Sequence, residues 1–125
     1  FALLCWRLKK SQIEALCKRL RVPGEVRDLA VLASSNRDRM KSVRTPRQLL
    51  DLLKRTDAFR RQERFAQLTE VAHLADPKIN VALVGNARAA AAAVDASSLA
   101  AKAASPAEIP KQLDAARIRA IAKAV

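Results

Sequence analysis

Ser11-Gln-Ile-Glu-Ala-Leu-Cys-Lys-Arg-Leu-Arg-Val-Pro-Gly24 holds a helix start, an apolar stripe and a helix stop within one short stretch. Ser11 followed three residues later by Glu14 is a capping-box pattern: the hydroxyl accepts from a first-turn N–H and the carboxylate reaches back. Ile13, Leu16, Cys17 and Leu20 recur at i, i+3, i+4 and i+7, the spacing of one helix face. Arg21-Val-Pro-Gly24 ends that face, and Pro23 is well placed to open the next helix.

The same signals continue on both sides. Upstream, Phe1-Ala-Leu-Leu-Cys-Trp6 is an apolar stub with the look of a helix end. Downstream, Val26, Leu29, Ala30, Ala33 and Met40 form the second stripe. Thr45-Pro46-Arg47-Gln48 starts a third helix, with proline in the first turn and a second capping pair, and Leu49, Leu50 and Leu53 are its apolar face. Thr56-Asp57 breaks the pattern. Phe65, Leu68, Val71, Ala72 and Ala75 carry a fourth helix that stops near Asp76-Pro77. An alanine-rich helical stretch over 79–94 follows, with Gly85-Asn86 as a candidate break, then a short helix over 96–104 and Ser105-Pro106. A last helix holds Ile109, Leu113, Ala116 and Ile121. No strand-like alternation is sustained and no fixed repeat is present. These patterns predict an all-α fold, an irregular bundle of about six to seven helices with no sheet. Residues 1–76 and the alanine-rich 77–125 are its two stretches, read as one continuous helical domain.

The 125 residues are half apolar, but much of that is alanine, and aromatic residues are confined to Phe1, Trp6, Phe59 and Phe65. Such a chain supports one domain with a modest core. Cys5 and Cys17, flanked by apolar residues, read as reduced core packing rather than a disulfide framework. No apolar run approaches membrane-spanning length and no signal peptide is visible. The first residue is Phe1 rather than Met, compatible with a processed product or a piece of a longer chain. Mitochondrial and cytoplasmic locations both stay open.

The net charge is +12, and it is regional: residues 1–64 hold 17 Lys/Arg against 7 Asp/Glu, residues 65–125 only 7 against 5. Like charges repel in a compact state, so a concentrated excess points to a polyanion that neutralises it. The competing reading is solvated helix faces with no partner. Lys18, Arg19 and Arg21 lie on the polar side of the first capped helix; Lys54 and Arg55 end the third; Arg60, Arg61 and Arg64 surround Phe59 and Phe65. Arg117 adds a cation in the last helix. These residues are the candidate RNA-binding set. With few aromatics to stack on bases, the expected mode is shape and backbone recognition.

Catalysis has little to stand on. His73 is the single histidine, on a helix with Val71, Leu74 and Ala75, and reads as a partly exposed structural residue. Asp51 and Asp57 do not make an acid/base pair, and Gly24 and Gly85 cannot build a phosphate loop. No catalytic residue, metal ligand or cofactor is expected.

Two stretches go beyond periodicity. Leu16-Cys-Lys-Arg-Leu-Arg-Val-Pro-Gly-Glu-Val-Arg-Asp-Leu-Ala30 resembles the segment after the metal-binding core of the HD domain in bacterial tRNA nucleotidyltransferases, the CCA-adding enzymes of the poly(A) polymerase family. Leu50-Asp-Leu-Leu-Lys-Arg-Thr-Asp-Ala-Phe-Arg-Arg-Gln-Glu-Arg-Phe-Ala-Gln-Leu68 is similar to the body segment that follows there. Ala93-Val-Asp95 and the run Ile109–Ile121 are similar to the tail, in the same order. Where the family has its His-Asp strip, this chain has Trp6 and Arg7; the histidine-rich loop after it is missing, the loop after Asp76 is short, and Pro110 replaces a usual glycine. The strand-containing catalytic head has no counterpart in these residues.

The resemblance implies the helical body and tail, the part that cradles tRNA. The expected function is a non-catalytic RNA-binding module without its own active site, a structural subunit of a ribonucleoprotein such as an organellar ribosome. Its partners would be tRNA or rRNA through the phosphate backbone and other ribonucleoprotein subunits, with no membrane. The alternative is the C-terminal tRNA-binding fragment of an active CCA-adding enzyme whose head lies outside this chain. A helical protein-interaction module with incidental charge is a third reading.

Overall fold

The computed structural model describes residues 1–102 and 105–125, with the side chains of Ala100 and Lys102 outside the description. Seven α-helices are described: α1 (Lys10–Leu20), α2 (Gly24–Ser42), α3 (Pro46–Arg55), α4 (Gln62–Ala75), α5 (Val81–Ala92), α6 (Ala96–Lys102) and α7 (Ile109–Ala124), with a 3-10 turn at Pro106–Glu108. No strand occurs among the described residues. The expected 96–104 helix is met as far as Lys102, and its last two residues lie outside the described ones.

Local signals set most boundaries. Thr45 Oγ1 accepts from the Gln48 N–H at 3.2 Å while Gln48 Oε1 accepts from the Thr45 N–H at 3.1 Å, a complete capping box with Pro46 in the first turn. Arg21 closes α1 in the left-handed region (φ 54°), and Pro23 is the N-cap of α2.

Helix α1 departs from expectation at both ends. It starts before Ser11, because Lys9 takes the N-cap position and its N–H donates to Gln12 Oε1 at 2.9 Å. Glu14 instead pairs with Lys10 at 3.8 Å. At the far end Leu20 is 59% exposed: the turn at Arg21 sends the chain away before anything can cover it. Val26, at the same open end of α2, is likewise exposed. The stub before α1 is a set of turns rather than a regular helix, held by N–H donation from Cys5 to Phe1 O and from Leu8 to Cys5 O.

One main core runs through both halves of the chain, from Trp6 through the buried α3 leucines Leu49, Leu50, Leu52 and Leu53 to Val84, Ala87, Ala91 and Ile121. Helix α7 packs on α5 and α3, and α4 packs on α2 and α5. A smaller cluster of Ala2, Cys5, Ile13, Cys17 and Ala30 lies under the N-terminal turns, and Leu29 and Val71 touch both clusters. The Ser34 hydroxyl donates to Leu8 O, and Arg37 Nη1 donates to Trp6 O at 2.8 Å, tying those turns to α2. Both cysteines are free and buried. Burial first, then the neighbouring Cys17, pushes the Cys5 thiol above its usual range.

Gly85-Asn86 does not break α5, because Val84, Ala87 and Ala91 are fully packed on either side and tertiary burial outweighs the glycine. A Cβ added at Gly85 would meet nothing within 4 Å. Gly85→Ala is therefore expected to raise stability by about 1 kcal/mol, read as a melting temperature higher by about 4 °C. A lower melting temperature would contradict an unobstructed helix at this position.

Candidate nucleic-acid interface

Helix α2 presents one face on which Arg27 and Asp28, Val31 and Leu32, Ser35 and Asn36, and Arg39 follow at successive turns. This face lines an open depression of about 720 Å³, shared with Lys10 and Glu14 of α1, Arg55 at the end of α3 and Arg64 of α4. Arg27 also lines a neighbouring depression with Lys18 and Arg21. Arg64 also lines another, with Arg60 and Arg61. The shared residues make the three depressions adjoin. A cationic track thus runs from the end of α1, across α2, to the start of α4.

The ion pairs along this track are weak. Arg27 meets Asp28 at 3.4 Å, Lys10 meets Glu14 at 3.8 Å, and Arg55 Nε meets Asp51 at 2.8 Å, each between half-exposed or more exposed side chains. Such pairs contribute about 0–1 kcal/mol, so a phosphate can replace the carboxylate at little cost. Arg60 is paired with Asp57 at 3.1 Å and its side chain stays 83% exposed. Arg61 is the N-cap of α4, and no side chain caps that end. Cations beside a helix N-terminus oppose the macrodipole by about 0.3–1 kcal/mol. The same arrangement adds guanidinium charge to free backbone N–H groups, which suits an anion.

The remaining sequence-derived candidates are placed differently. Lys54 Nζ donates to Asp114 Oδ2 at 2.8 Å, joining α3 to α7. The Arg117 guanidinium carbon lies 4.1 Å from the centroid of the Phe59 ring, a cation–π contact, and its Nε is buried without a partner. Arg64 is part internal as well: its Nη2 donates to Thr56 O at 3.2 Å. Arg19 is exposed on the last turn of α1, where with Lys18 it also complements the helix dipole. The structure therefore brings Lys18, Arg21, Arg55, Arg60, Arg61 and Arg64 into adjoining depressions and leaves Lys54 and Arg117 holding α7. Lys10, Arg27 and Arg39, outside the sequence-derived set, line the same depression.

Trp6 and Arg7 line a separate depression of about 320 Å³ with Arg37, Asp38, Lys41 and Asp76. His73 is exposed. Among the described residues no three His, Cys, Asp or Glu side chains gather as a metal site, and no helix is long and apolar enough to cross a membrane.

The chain is 37% identical over 123 residues to the multifunctional CCA protein of Laribacter hongkongensis, covering 90% of this chain and 30% of that protein. The chain is homologous to the multifunctional CCA proteins. That of Aromatoleum aromaticum is 36% identical over 122 residues and that of Xanthomonas euvesicatoria 39% over 127, again with 30% of each relative covered. The chain thus spans 30% of the length of these CCA proteins. With helices and no strand among its described residues, the matched extent is consistent with the helical region that Leu16–Ala30 and Leu50–Leu68 pointed to. No family model and no solved structure matches the chain.

Proposed function

We propose that this chain is a non-catalytic helical module that holds RNA by its phosphate backbone. The observation that carries this reading is the track itself, in which Lys18, Arg21, Arg27, Arg55, Arg60, Arg61 and Arg64 line depressions joined through Arg27 and Arg64. Every phosphate neutralised there releases counterions. Trp6 and Arg7, in place of a His-Asp strip, favour a binding role over bond-making in this region.

Two settings fit a tRNA-cradling module. One is a tRNA nucleotidyltransferase whose catalytic head lies outside this chain, favoured by relatives that match about 90% of this chain along only 30% of their own length. The other is a structural subunit of a ribonucleoprotein, with mitochondrial ribosomes as one example, favoured by the lost His-Asp strip alongside retained charge. CTP or ATP incorporation into tRNA by the native material distinguishes the first from the second. The binding reading common to both is tested by ultraviolet crosslinking in cells. Nucleotide-bearing peptides from α2 and from residues 60–64 are expected; crosslinks to protein alone would contradict it.

A further inference from the structure

The depression across α2 carries more than charge. Its wall is formed by Val31 and Leu32, both half-buried, and beside them stands Asn36, only 5% exposed. Asn36 Nδ2 donates to Leu32 O at 2.9 Å, which leaves its amide oxygen with no hydrogen bond among the described residues. That oxygen is not among the atoms sealed from solvent without a partner, so it is open to an incoming donor. Buried amide groups are ordinarily satisfied. Arg64 lines the far side of the same depression, with its Nη2 on Thr56 O holding the side chain in place. Arg39 and Arg55 complete the rim.

We infer that this depression takes one unpaired nucleotide of the bound RNA. The base lies against Val31 and Leu32, the Asn36 amide meets the polar edge of the base, and the phosphate sits among Arg39, Arg55 and Arg64. This inference rests on the backbone-binding reading above and adds a single-stranded element to it. Phosphate binding alone has no use for an apolar wall or a buried amide, and an apolar protein segment has no use for three arginines around it. A nucleotide joins an apolar face, a hydrogen-bonding edge and an anion in one ligand. About 10 Å of helix axis separates Leu32 from Arg39, which keeps the base and the phosphate at different ends. The volume, about 720 Å³, falls in the range of about 300–1,000 Å³ usual for small-ligand sites. Aliphatic contact here takes the role that aromatic stacking has in other single-strand binders.

The test uses the full chain and four probes: CMP, AMP, ribose 5-phosphate and a blunt RNA duplex, titrated by calorimetry with backbone amide NMR as a second readout. At least one nucleotide is expected to bind about tenfold tighter than ribose 5-phosphate, the size of one well-made polar contact with its apolar neighbour. Asn36→Ala should remove most of that difference and leave duplex binding unchanged. Val31→Thr, an exchange of similar shape on a half-exposed position, should reduce it in a chain whose melting temperature is kept. Equal binding of nucleotides and ribose 5-phosphate, with duplex binding intact, would overturn the pocket and leave the backbone reading standing. Failure of the duplex and of all three small probes would overturn both.

Discussion

Reversing charge at Arg27, Arg60 and Arg61 together (R27E/R60E/R61E) is expected to weaken binding of a folded RNA by about 100-fold or more near 100 mM salt, because each lost phosphate contact forfeits most of a decade of counterion-release affinity there. The slope of log affinity against log salt should become shallower by about 2–3. The fold should be untouched. All three side chains are exposed, and surface exchanges of this kind shift stability by about 0.5 kcal/mol or less each. Arg27 is in the first turns of α2, and Arg60 and Arg61 precede α4, so a carboxylate at these places suits the positive end of the helix. Arg64 is left out because its Nη2 holds Thr56 O, and its loss would confuse binding with folding. Unchanged affinity in this triple variant would remove the track from the RNA surface.

The largest stability effect is expected from the α3 leucines. Leu53 is fully buried in the cluster that Leu49, Leu52, Phe65, Leu68, Ala87 and Ile121 share. Leu53→Ala removes apolar surface and leaves a hole that alanine-rich neighbours cannot fill, since the methyl groups of Ala87 and Ala91 have no torsion that would carry them into it. A cost of about 2–5 kcal/mol follows, a large part of the roughly 5–15 kcal/mol that holds a domain of this kind together. Urea denaturation should show a lower midpoint with an unchanged slope. A saturating RNA should recover part of the loss, as any ligand specific to the folded state does. A cost below about 1 kcal/mol would mean that α3 is not at the centre of the core.

Helix boundaries were legible where a capping pair and a proline coincide, as at Thr45-Pro46 and Gln48, or where Pro23-Gly24 follows a left-handed Arg21. They were misread where two capping patterns overlap: Gln12 serves Lys9 as well as Glu14 would have served Ser11, and the turns before Lys9 decided between them. Gly85 reads locally as a breaker, and the burial of Val84 before it and of Ala87 and Ala91 after it, which keeps α5 continuous, is a tertiary fact. In the site, the cations themselves were visible and their grouping was not. Lys54 meets Asp114 sixty residues away, and Arg117 meets Phe59 across the bundle; no local pattern announces either contact. Arg27 and Arg39 were concealed for the opposite reason, sitting in a helix whose acidic neighbours Asp28 and Asp38 gave it the look of an ordinary solvated face.

The account depends on phosphate contacts made by this track, and a salt titration reads them most directly. Affinity of the full chain for a folded tRNA transcript, measured from 50 to 200 mM monovalent salt, is expected to fall by about 100- to 500-fold, corresponding to about five phosphate contacts and a log–log slope of roughly −3.5 to −4.5. A slope shallower than about −1 would contradict it, because no more than a single phosphate would then be held by the whole charged surface.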